Sequence, residues 1–340
     1  MKKFLKTVER YQKNTDRSKY RIYLGQNERN TYLPDEVFDN FLSSIEQEDI
    51  FHYPDINSLK AKVATLYGVE SENIMLTHGS DFGIKTIFDA FNVNSKNIIT
   101  SDYCFPMYNV YADISEAQIK KAVYTSLKLN VDSIIELIDK DTQFVILANP
   151  NSPVGDSQSM ESIKKILDTG VHLIVDEAYI ELTSLKSSIE LINEYKNLSV
   201  LRTFSKAYGA AGLRVGVLIS CENNITNYFS KLRLMYPITS IGARYVDFII
   251  KHHNFFLNYF KDISNGKEKF VKDLIEQGIE IRDTESSWVF IKQNQNGKDL
   301  SELLELQKIH HRTNSLPGEE GMWIKLNYEP IIKNHDFNFS

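Results

Sequence analysis

The sequence predicts an α/β fold: a large domain with a mostly parallel sheet covered by helices, plus a smaller α+β domain. Between about residues 58 and 230, short and nearly continuous apolar runs alternate with stretches whose apolar residues have helical spacing. Such runs are typical of strands buried on both faces, and their alternation with helices indicates a parallel sheet. Polar clusters follow several of the runs, where ligands of these sheets bind.

The elements follow in chain order. SLKAKVATLYG predicts a helix, NIMLTHGSD a strand that runs into a turn, and FGIKTIFDAF an amphipathic helix. Strands are then predicted at NIIT, QFVILANP, HLIVDEAY, LSVLRTF and VGVLIS, with a helix at SMESIKKILDTG. Beyond about residue 231 come longer helices in YVDFIIKHHNFFLNYFKDI and then GKEKFVKDLIEQG, followed by strands at WVFIKQ and MWIKLNY. We therefore predict a large domain over residues 31–230 and a small domain formed by residues 1–30 together with 231–340.

The composition excludes several classes of protein. The 340-residue chain is 42% hydrophobic and 25% charged, as in a globular protein, and its net charge of -6 gives no overall preference for nucleic acid. Cys104 and Cys221 are too few for a disulfide framework and have no metal-ligand spacing around them. No stretch approaches a signal peptide or the ~20 apolar residues of a membrane span. We expect a soluble, cytoplasmic protein without metal, nucleic-acid or membrane partners.

The most informative stretch is RTFSKAYGAAGLRVG, residues 202–216. Lys206 lies there among small and hydroxylated residues, and Arg214 follows eight positions later. A lysine, whose ordinary pKa is roughly 10.4, acts as a nucleophile only where its surroundings change its protonation or hold it as a Schiff base. Arg214 is suited to bind an anion, and Thr203 and Ser205 to donate hydrogen bonds to phosphate oxygens. The alternative is a surface lysine after a strand, with glycines that serve only the turn.

A second segment, DEAY, follows the apolar run HLIV and begins with Asp176. A carboxylate at the end of a buried strand needs a cationic or hydrogen-bonding partner. A protonated pyridine nitrogen is such a partner, and the pairing makes the ring a stronger electron sink. The alternatives are an aspartate that caps a helix or binds a metal.

Three further clusters lie beside predicted strands. In THGSD, residues 77–81, backbone N–H groups at a helix start are suited to hold a phosphate, unless Ser80 or Asp81 serves only as the helix cap. NPNSPVG, residues 149–155, is a loop after a strand, or an ordinary turn. In DYCFPMY, Phe105 and Tyr108 are suited to stack on an aromatic cofactor and are otherwise core residues.

In this order, the segments resemble a known family. The chain is similar to pyridoxal-phosphate enzymes of the aspartate aminotransferase fold, and most of all to the histidinol-phosphate aminotransferase group. The matching segments cover most of residues 24–216 and are YPD at residues 53–55, HGSD, FPMY, NPNSPVG, DEAY and RTFSKAYGAAGLRVG. The last of these is highly specific, whereas the C-terminal part matches only loosely.

The resemblance implies how these residues bind pyridoxal 5'-phosphate. Lys206 forms the Schiff base with the cofactor and later moves the proton, while Asp176 pairs with the pyridine nitrogen. Tyr179 donates to the phenolic oxygen, and Phe105 stacks on the ring.

The resemblance also implies a phosphate site and a dimer. The phosphate is held by the backbone amides of Ser80 and Asp81 and by the side chains of Thr203, Ser205 and Arg214. In this family the tyrosine at the position of Tyr53 reaches across a subunit interface to the neighbouring phosphate. A homodimer with shared active sites is therefore implied.

The chain departs from the family pattern in its NPNSPVG loop and beside it. Where the family has an asparagine that contacts the phenolic oxygen, this chain has Ser152, whose shorter hydroxyl contacts the ring directly, through water or not at all. Asn151 is a possible substitute. Phe82 replaces the glutamate of the family's HGSDE, and we expect little effect from that change.

The third departure lies near the C-terminus, where the family has two arginines. The first matches Arg312 in HHRTNSLPG, whereas the second, which holds the substrate carboxylate, matches Trp323 in MWIKLNY. Lys325 lies on the same strand face two residues later, but is a point charge rather than a planar fork. Either Trp323 packs and another residue binds the carboxylate, or the substrate lacks a carboxylate at that place.

Substrate-binding candidates are therefore Arg312, Trp323 and Arg21. Arg312 with His310 and His311 is suited to bind a substrate phosphate, unless the two histidines lie in a solvated loop.

We predict an aminotransferase that acts on a small phosphorylated or otherwise anionic amino compound. The alternatives are a pyridoxal-phosphate-dependent decarboxylase of an O-phospho amino acid and a cofactor-binding protein without turnover. Lys206, Asp176 and Arg214 argue against the last alternative, whereas Ser152 and Trp323 leave it open.

Overall fold

The computed structural model describes residues 3–9, 16–295 and 297–332 of the chain, so parts of the predicted small domain (residues 1–2, 10–15, 296 and 333–340) lie outside the described residues. The α-helices are α1 (Asp35–Leu42), α2 (Glu48–Phe51), α3 (Ile56–Tyr67), α4 (Gly79–Ala90), α5 (Pro106–Ser115), α6 (Val131–Leu137), α7 (Met160–Leu167), α8 (Glu222–Asn227), α9 (Ser240–Lys251), α10 (His253–Glu276) and α11 (Leu300–Leu306). The strands are β1 (Ile22–Tyr23), β2 (Ile74–His78), β3 (Asn97–Ser101), β4 (Gln118–Ala122), β5 (Tyr124–Thr125), β6 (Lys128–Leu129), β7 (Thr142–Ala148), β8 (His172–Asp176), β9 (Leu198–Thr203), β10 (Val215–Ser220), β11 (Ile281–Asp283), β12 (Trp288–Lys292), β13 (Asn294–Gln295), β14 (Lys298–Asp299), β15 (Ile309–His310), β16 (Arg312–Asn314) and β17 (Trp323–Asn327).

The helix ends follow local capping chemistry. Helix α3 begins where the Asp55 carboxylate accepts from the backbone N–H groups of Asn57 and Ser58, and it ends at Gly68 in the left-handed conformation. Helix α5 begins with Pro106, whose missing N–H costs nothing in the first turn. Capping residues and a proline therefore determine where these two helices begin and where α3 ends.

Seven of the described strands form the main sheet, in the order β2-β10-β9-β8-β7-β3-β4. Strand β10 is antiparallel to its neighbours β2 and β9, whereas the pairs from β9 to β4 are parallel. The predicted mostly parallel sheet is confirmed. In the parallel part, the loops that follow β3, β7, β8 and β9 all leave from the same edge.

Both faces of this sheet are buried. Alternate residues of each strand point to opposite faces, so Val145 and Val175 belong to one core and Ile146 and Ile174 to the other. Helices α3, α7 and α9 cover the first face, and helices α4 and α5 cover the second. This is why the strands read as continuous apolar runs in the sequence.

A smaller antiparallel sheet has the order β11-β12-β17-β16. Its inner core includes Val289, Ile291, Ile324 and Leu326, and the N-terminal strand β1 pairs in parallel with β15 beside it. The N-terminal segment thus packs with the C-terminal part of the chain.

The long C-terminal helices differ from the prediction. Helix α9 ends at Lys251 and α10 runs without interruption from His253 to Glu276, so the predicted separate helix at GKEKFVKDLIEQG is wrong. Within α10, Phe256 and Phe260 pack on the core of the main sheet, whereas Phe270 packs on the small-sheet core. The boundary at residue 230 stays a prediction.

Helix α4 also begins earlier than predicted. Gly79, Ser80 and Asp81, expected in a turn, form its first residues.

No helix among the described residues is both long and apolar enough to cross a membrane.

Candidate active site

A cavity of about 740 Å³ lies at the edge of the main sheet where β3, β7, β8 and β9 end. Strands β16 and β17 of the small sheet and the N-terminal segment close it from the other side. It is lined by Gly25, Gln26, Asn27, Cys104, Phe105, Pro106, Ser152, Pro153, Tyr179, Lys206, His311, Arg312, Thr313, Asn314 and Lys325. Five residues predicted for the site, Phe105, Ser152, Tyr179, Lys206 and Arg312, are among them.

Lys206 lies three residues beyond the end of β9 and is half-buried at the cavity wall. Its Nζ donates to the backbone carbonyl of Gln26 at 2.9 Å and lies 5.6 Å from the ring centroid of Tyr179. The amine is therefore held inside the cavity rather than in solvent, against the surface-lysine alternative.

Asp176 is the last residue of β8, as expected, and is buried. Its Oδ2 accepts a hydrogen bond from the Tyr108 hydroxyl at 2.9 Å, whereas Oδ1 is buried without a hydrogen-bond partner among the described residues. Burial raises the pKa of Asp176 to about 6, although the Tyr108 hydroxyl and the backbone N–H of Ala178 act in the opposite direction. A buried carboxylate oxygen without a partner is suited to meet a cationic group of a ligand.

An anion cup is formed where strand β10 meets the first residue of α4. A Cβ on Gly216 would lie 2.3 Å from the carbonyl carbon of Gly79 and 2.5 Å from the nitrogen of Ser80, so only glycine permits this approach. A Cβ on Gly79 would lie 2.5 Å from Nη2 of Arg214, whose Nη1 donates to Oγ of Ser205 at 3.4 Å. N–H groups at the helix start, the helix dipole and the guanidinium all favour a bound anion here.

The other residues predicted for the phosphate lie at this cup, with different contacts. Ser80 and Asp81 are in the first turn of α4, and Oδ1 of Asp81 is buried without a hydrogen-bond partner in the described part of the chain. The Thr203 hydroxyl accepts from the backbone N–H of Ser205 at 3.1 Å and donates to the Val215 carbonyl at 3.4 Å. In this structure Thr203 therefore holds the loop that carries Lys206.

Asn151 does not take the place of the family asparagine. Its Nδ2 donates to the Tyr103 carbonyl at 3.0 Å, and its Oδ1 accepts from the N–H of Val154 at 3.1 Å. These bonds hold the loop in shape, and the side chain is absent from the cavity lining. Ser152, with Pro153, is the part of this loop that reaches the cavity.

The C-terminal strands present two cations to the cavity. Arg312 and Lys325 are direct partners in the pairing of β16 with β17, and both line the cavity. Lys325 is buried, with its Nζ 3.6 Å from the ring centroid of Trp288. Trp323 is fully buried beside Trp288 and Arg282 and is not part of the lining.

Of the two histidines and Arg21, which were expected near the substrate, only His311 lines the cavity. His310 is buried and stacks on Tyr23 with ring centroids 4.0 Å apart, so the solvated loop is wrong for this residue. His311 lines the cavity, but its Nε2 is 2.5 Å from Oγ of Ser301 and its Nδ1 is 3.2 Å from the Ile309 carbonyl. Arg21 is exposed and does not line the cavity.

Tyr53 also lies away from this cavity. Its side chain is 73% exposed and stacks on Tyr236, with ring centroids 3.7 Å apart.

Two groups that bear on the site were not predicted from the sequence: the backbone carbonyl of Gln26, which accepts from Lys206, and the hydroxyl of Tyr108, which donates to Asp176. The position of Tyr108 three residues after Phe105, on the same side of a helix, is the signal that points to it.

Comparison with known proteins gives one family. The model of the aminotransferase class I and II family matches residues 21–335. A histidinol-phosphate aminotransferase of Thermoanaerobacter pseudethanolicus is 33% identical over 281 residues, which cover 80% of this chain and 79% of that protein.

Solved structures have the same fold. A histidinol-phosphate aminotransferase of Sinorhizobium meliloti, in complex with pyridoxal-5'-phosphate, matches with a TM-score of 0.83 at 20% identity and covers 97% of this chain and 93% of that chain. An L-threonine-O-3-phosphate decarboxylase of Porphyromonas gingivalis matches with a TM-score of 0.73 at 19% identity, over 91% of this chain and 95% of that chain. At these identities the likeness concerns the fold.

Proposed function

We propose a substrate class from one premise: the chain belongs to the class I and II aminotransferase family and is a pyridoxal-phosphate-dependent transferase with the aspartate aminotransferase-like fold. The substrate class is a small amine that carries a phosphate or another anionic group. Histidinol phosphate, which names the relatives, belongs to this class.

The residues of the cavity fit the cofactor. The unpaired Oδ1 of Asp176 suits a protonated ring nitrogen, and the anion cup of Gly79, Ser205 and Arg214 suits the phosphate. Lys206 lines the cavity, directly follows Ser205 in the chain and lies near enough to Asp176 to lower the pKa of that carboxyl. We assign the cofactor contacts to these residues and to Phe105, Tyr179, Ser80, Asp81, Thr203 and Ser152.

Each residue then has a physical task. When bound, pyridoxal phosphate supplies an electron-withdrawing ring that stabilises negative charge at the carbon bearing the amine. Asp176, as an anion, keeps the ring nitrogen protonated, and Tyr179 donates its hydroxyl proton toward the phenolic oxygen. Lys206 would accept at Nζ the proton lost by the carbon bearing the amine and would deliver it to a neighbouring carbon. Loss of this proton, rather than of a carboxylate, distinguishes transamination from decarboxylation.

The charges of the lining carry the substrate proposal. The cavity is lined by Lys206, Arg312 and Lys325, while the described lining residues include no aspartate or glutamate. Arg312 and Lys325 are direct cross-strand partners that both line the cavity, so an anion beside this pair is attracted by two cations. Since Trp323 is buried outside the lining, these two side chains are suited to hold the anionic group of the substrate.

We also propose a homodimer with shared active sites. Phe51, Tyr53, Met235 and Tyr236, here called the aromatic surface, are 76%, 73%, 78% and 42% exposed. Monomeric proteins rarely expose adjoining large apolar side chains in this way. A second copy of the chain covers this surface and places Tyr53 near the neighbouring phosphate site.

A substrate panel tests the proposal. The enzyme, saturated with pyridoxal phosphate, is mixed with histidinol phosphate, histidinol, glutamate and O-phosphothreonine, while cofactor absorbance and carbon dioxide release are followed. We expect the phosphorylated amine to aminate the cofactor at least ~10-fold faster than its unphosphorylated counterpart, without carbon dioxide release.

The other outcomes select the alternatives. Carbon dioxide release from O-phosphothreonine, without amination of the cofactor, indicates the decarboxylase. No spectral change with any amine indicates a cofactor-binding protein without turnover.

A further inference from the structure

Tyr108 bonds to the residue that is proposed to meet the cofactor ring. It is the third residue of α5, fully buried, and its hydroxyl donates to Oδ2 of Asp176 at 2.9 Å across 68 residues of sequence. The same helix start presents Phe105 to the cavity, with the two rings 5.7 Å apart and nearly perpendicular. One short segment therefore provides a ring of the cavity wall, Phe105, and the hydroxyl that bonds to the buried Asp176 carboxylate, Tyr108.

We propose that Tyr108 is a positioning residue for the reaction, whose hydroxyl fixes the Asp176 carboxylate so that Oδ1 is left for the ring nitrogen. This inference rests on the proposed role of Asp176. A carboxylate with neither oxygen fixed would rotate about its terminal torsion, whereas a hydrogen bond to Oδ2 determines where Oδ1 lies. Tyr108 is fully buried and its hydroxyl is engaged by Asp176, so it acts through Asp176 rather than on the substrate.

A neutral donor suits this task better than a cation. Burial, together with the neighbouring Asp176, raises the pKa of Tyr108 well above its ordinary value, so its hydroxyl keeps its proton and donates throughout the working pH range. The next residue shows the contrast, because Glu177 is paired with the cation Arg202 at 3.0 Å. A cation at Asp176 would cancel the charge that the ring nitrogen needs, and the tyrosine leaves that charge in place.

Other charged groups also face this carboxylate. Lys206 lowers the pKa of Asp176 and Glu177 raises it, while Cys104 and Tyr179 act on Tyr108. None of them replaces the hydrogen bond to Oδ2, which is made by Tyr108 in the described structure.

Tyr108→Phe removes only the hydroxyl and tests the inference. Without this donor the ionised form of Asp176 is less favoured, so the acid limb of the kcat profile and the pH titration of cofactor absorbance both move to higher pH. We expect kcat to fall by about 10- to 100-fold, the cost of a hydrogen bond to a charged group, with KM for the amine changed less than ~3-fold.

Tyr124→Phe is the matched control. Tyr124 donates to Asp156 at 2.6 Å in another buried tyrosine–aspartate pair, and neither residue lines the cavity. This variant should lower the melting temperature without moving either pH titration. Equal kcat and unmoved titrations in Tyr108→Phe would overturn the inference.

A double-mutant cycle separates this inference from the proposed function. In the Asp176→Asn background, Tyr108→Phe should change kcat by less than ~2-fold, because the carboxylate through which it acts is gone. The double variant has no buried carboxylate that lacks its hydroxyl donor. Its kcat can therefore be measured even if Tyr108→Phe alone folds poorly. A full additional loss there overturns the role of Tyr108, whereas an unchanged spectrum and kcat in Asp176→Asn itself overturns the role of Asp176.

Discussion

At the scale of single residues, Asp176 shows how a group that is proposed to bind the cofactor lowers the stability of the fold. Its folded pKa of about 6 lies above the ordinary 3.8, so the folded chain binds this proton more tightly than the unfolded chain. The carboxylate therefore destabilises the fold above about pH 6, and that penalty disappears as the pH falls through 6 toward 4. A pKa of Asp176 raised from 3.8 to about 6 corresponds to roughly 3 kcal/mol in the free energy of unfolding.

Asp176→Asn should therefore stabilise the cofactor-free protein at about pH 7.5 by up to ~3 kcal/mol. Urea unfolding at several pH values measures the difference, which should vanish near pH 4. Asp139→Asn is the control, because the Lys120 ammonium and the Asn97 amide hold the pKa of Asp139 well below its ordinary value, so this variant should lose stability instead. An Asp176→Asn protein that is less stable than the natural one at every pH contradicts this account.

Lys206 permits a spectroscopic prediction. Lys206→Ala should lose the absorbance band of the covalently held cofactor and at least ~10³-fold of kcat, because Lys325, the other lysine among the described lining residues, lies on strand β17 on the opposite side of the cavity. Lys164→Ala, which removes an exposed lysine paired with Glu194, should leave the band unchanged. Retention of the band in Lys206→Ala would contradict the assignment of Lys206 as the lysine that holds the cofactor.

At the scale of elements, the contact between β10 and α4 depends on one glycine. Gly216→Ala forces apart the strand and the helix start, so we expect a loss of about 1–3 kcal/mol in the free energy of unfolding and a weaker affinity for pyridoxal phosphate. Gly212→Ala is the matched change in the same segment, because its Cβ would meet nothing within 4 Å. Equal cofactor affinities in the two variants would show that the cup does not hold the phosphate.

Some elements could be predicted from the sequence and others could not. Strands β7 and β8 are continuous apolar runs because both faces are buried, and this also placed Asp176 at a strand end. The start of α4 was missed because Gly79, Ser80 and Asp81 have low intrinsic helix propensity. Gly266 is the first residue of the predicted segment GKEKFVKDLIEQG, yet it lies inside α10, where a Cβ would be 2.2 Å from the Tyr328 hydroxyl oxygen.

The site shows the same division. Motif residues such as Lys206 and Arg214 were identified because their spacing is local. The bond from Tyr108 to Asp176 and the pairing of Arg312 with Lys325 depend on tertiary packing and on strand register, which the sequence does not specify.

At the scale of the whole molecule, the aromatic surface predicts assembly. Phe51→Glu places a charge in the proposed subunit interface, so it should yield monomers with at least ~10-fold weaker cofactor affinity, since Tyr53 no longer reaches a neighbour. Sedimentation and cofactor titration measure both effects. Leu306→Glu changes another exposed apolar residue, 74% exposed on α11, and should leave a dimer. A dimeric Phe51→Glu protein would contradict the proposed interface.

The substrate proposal depends on the positive charge of the cavity, and the ratio of kcat/KM for a phosphorylated amine to that for its dephosphorylated counterpart measures whether that charge selects the phosphate. We predict a ratio of at least ~100 in the natural protein, which should fall below ~10 when Arg312→Gln and Lys325→Gln are combined. The control combines Arg21→Gln with Lys308→Gln, which removes two exposed cations outside the cavity lining and should keep the ratio. A ratio near one in the natural protein, or an unchanged ratio in the cavity variant, contradicts the claim.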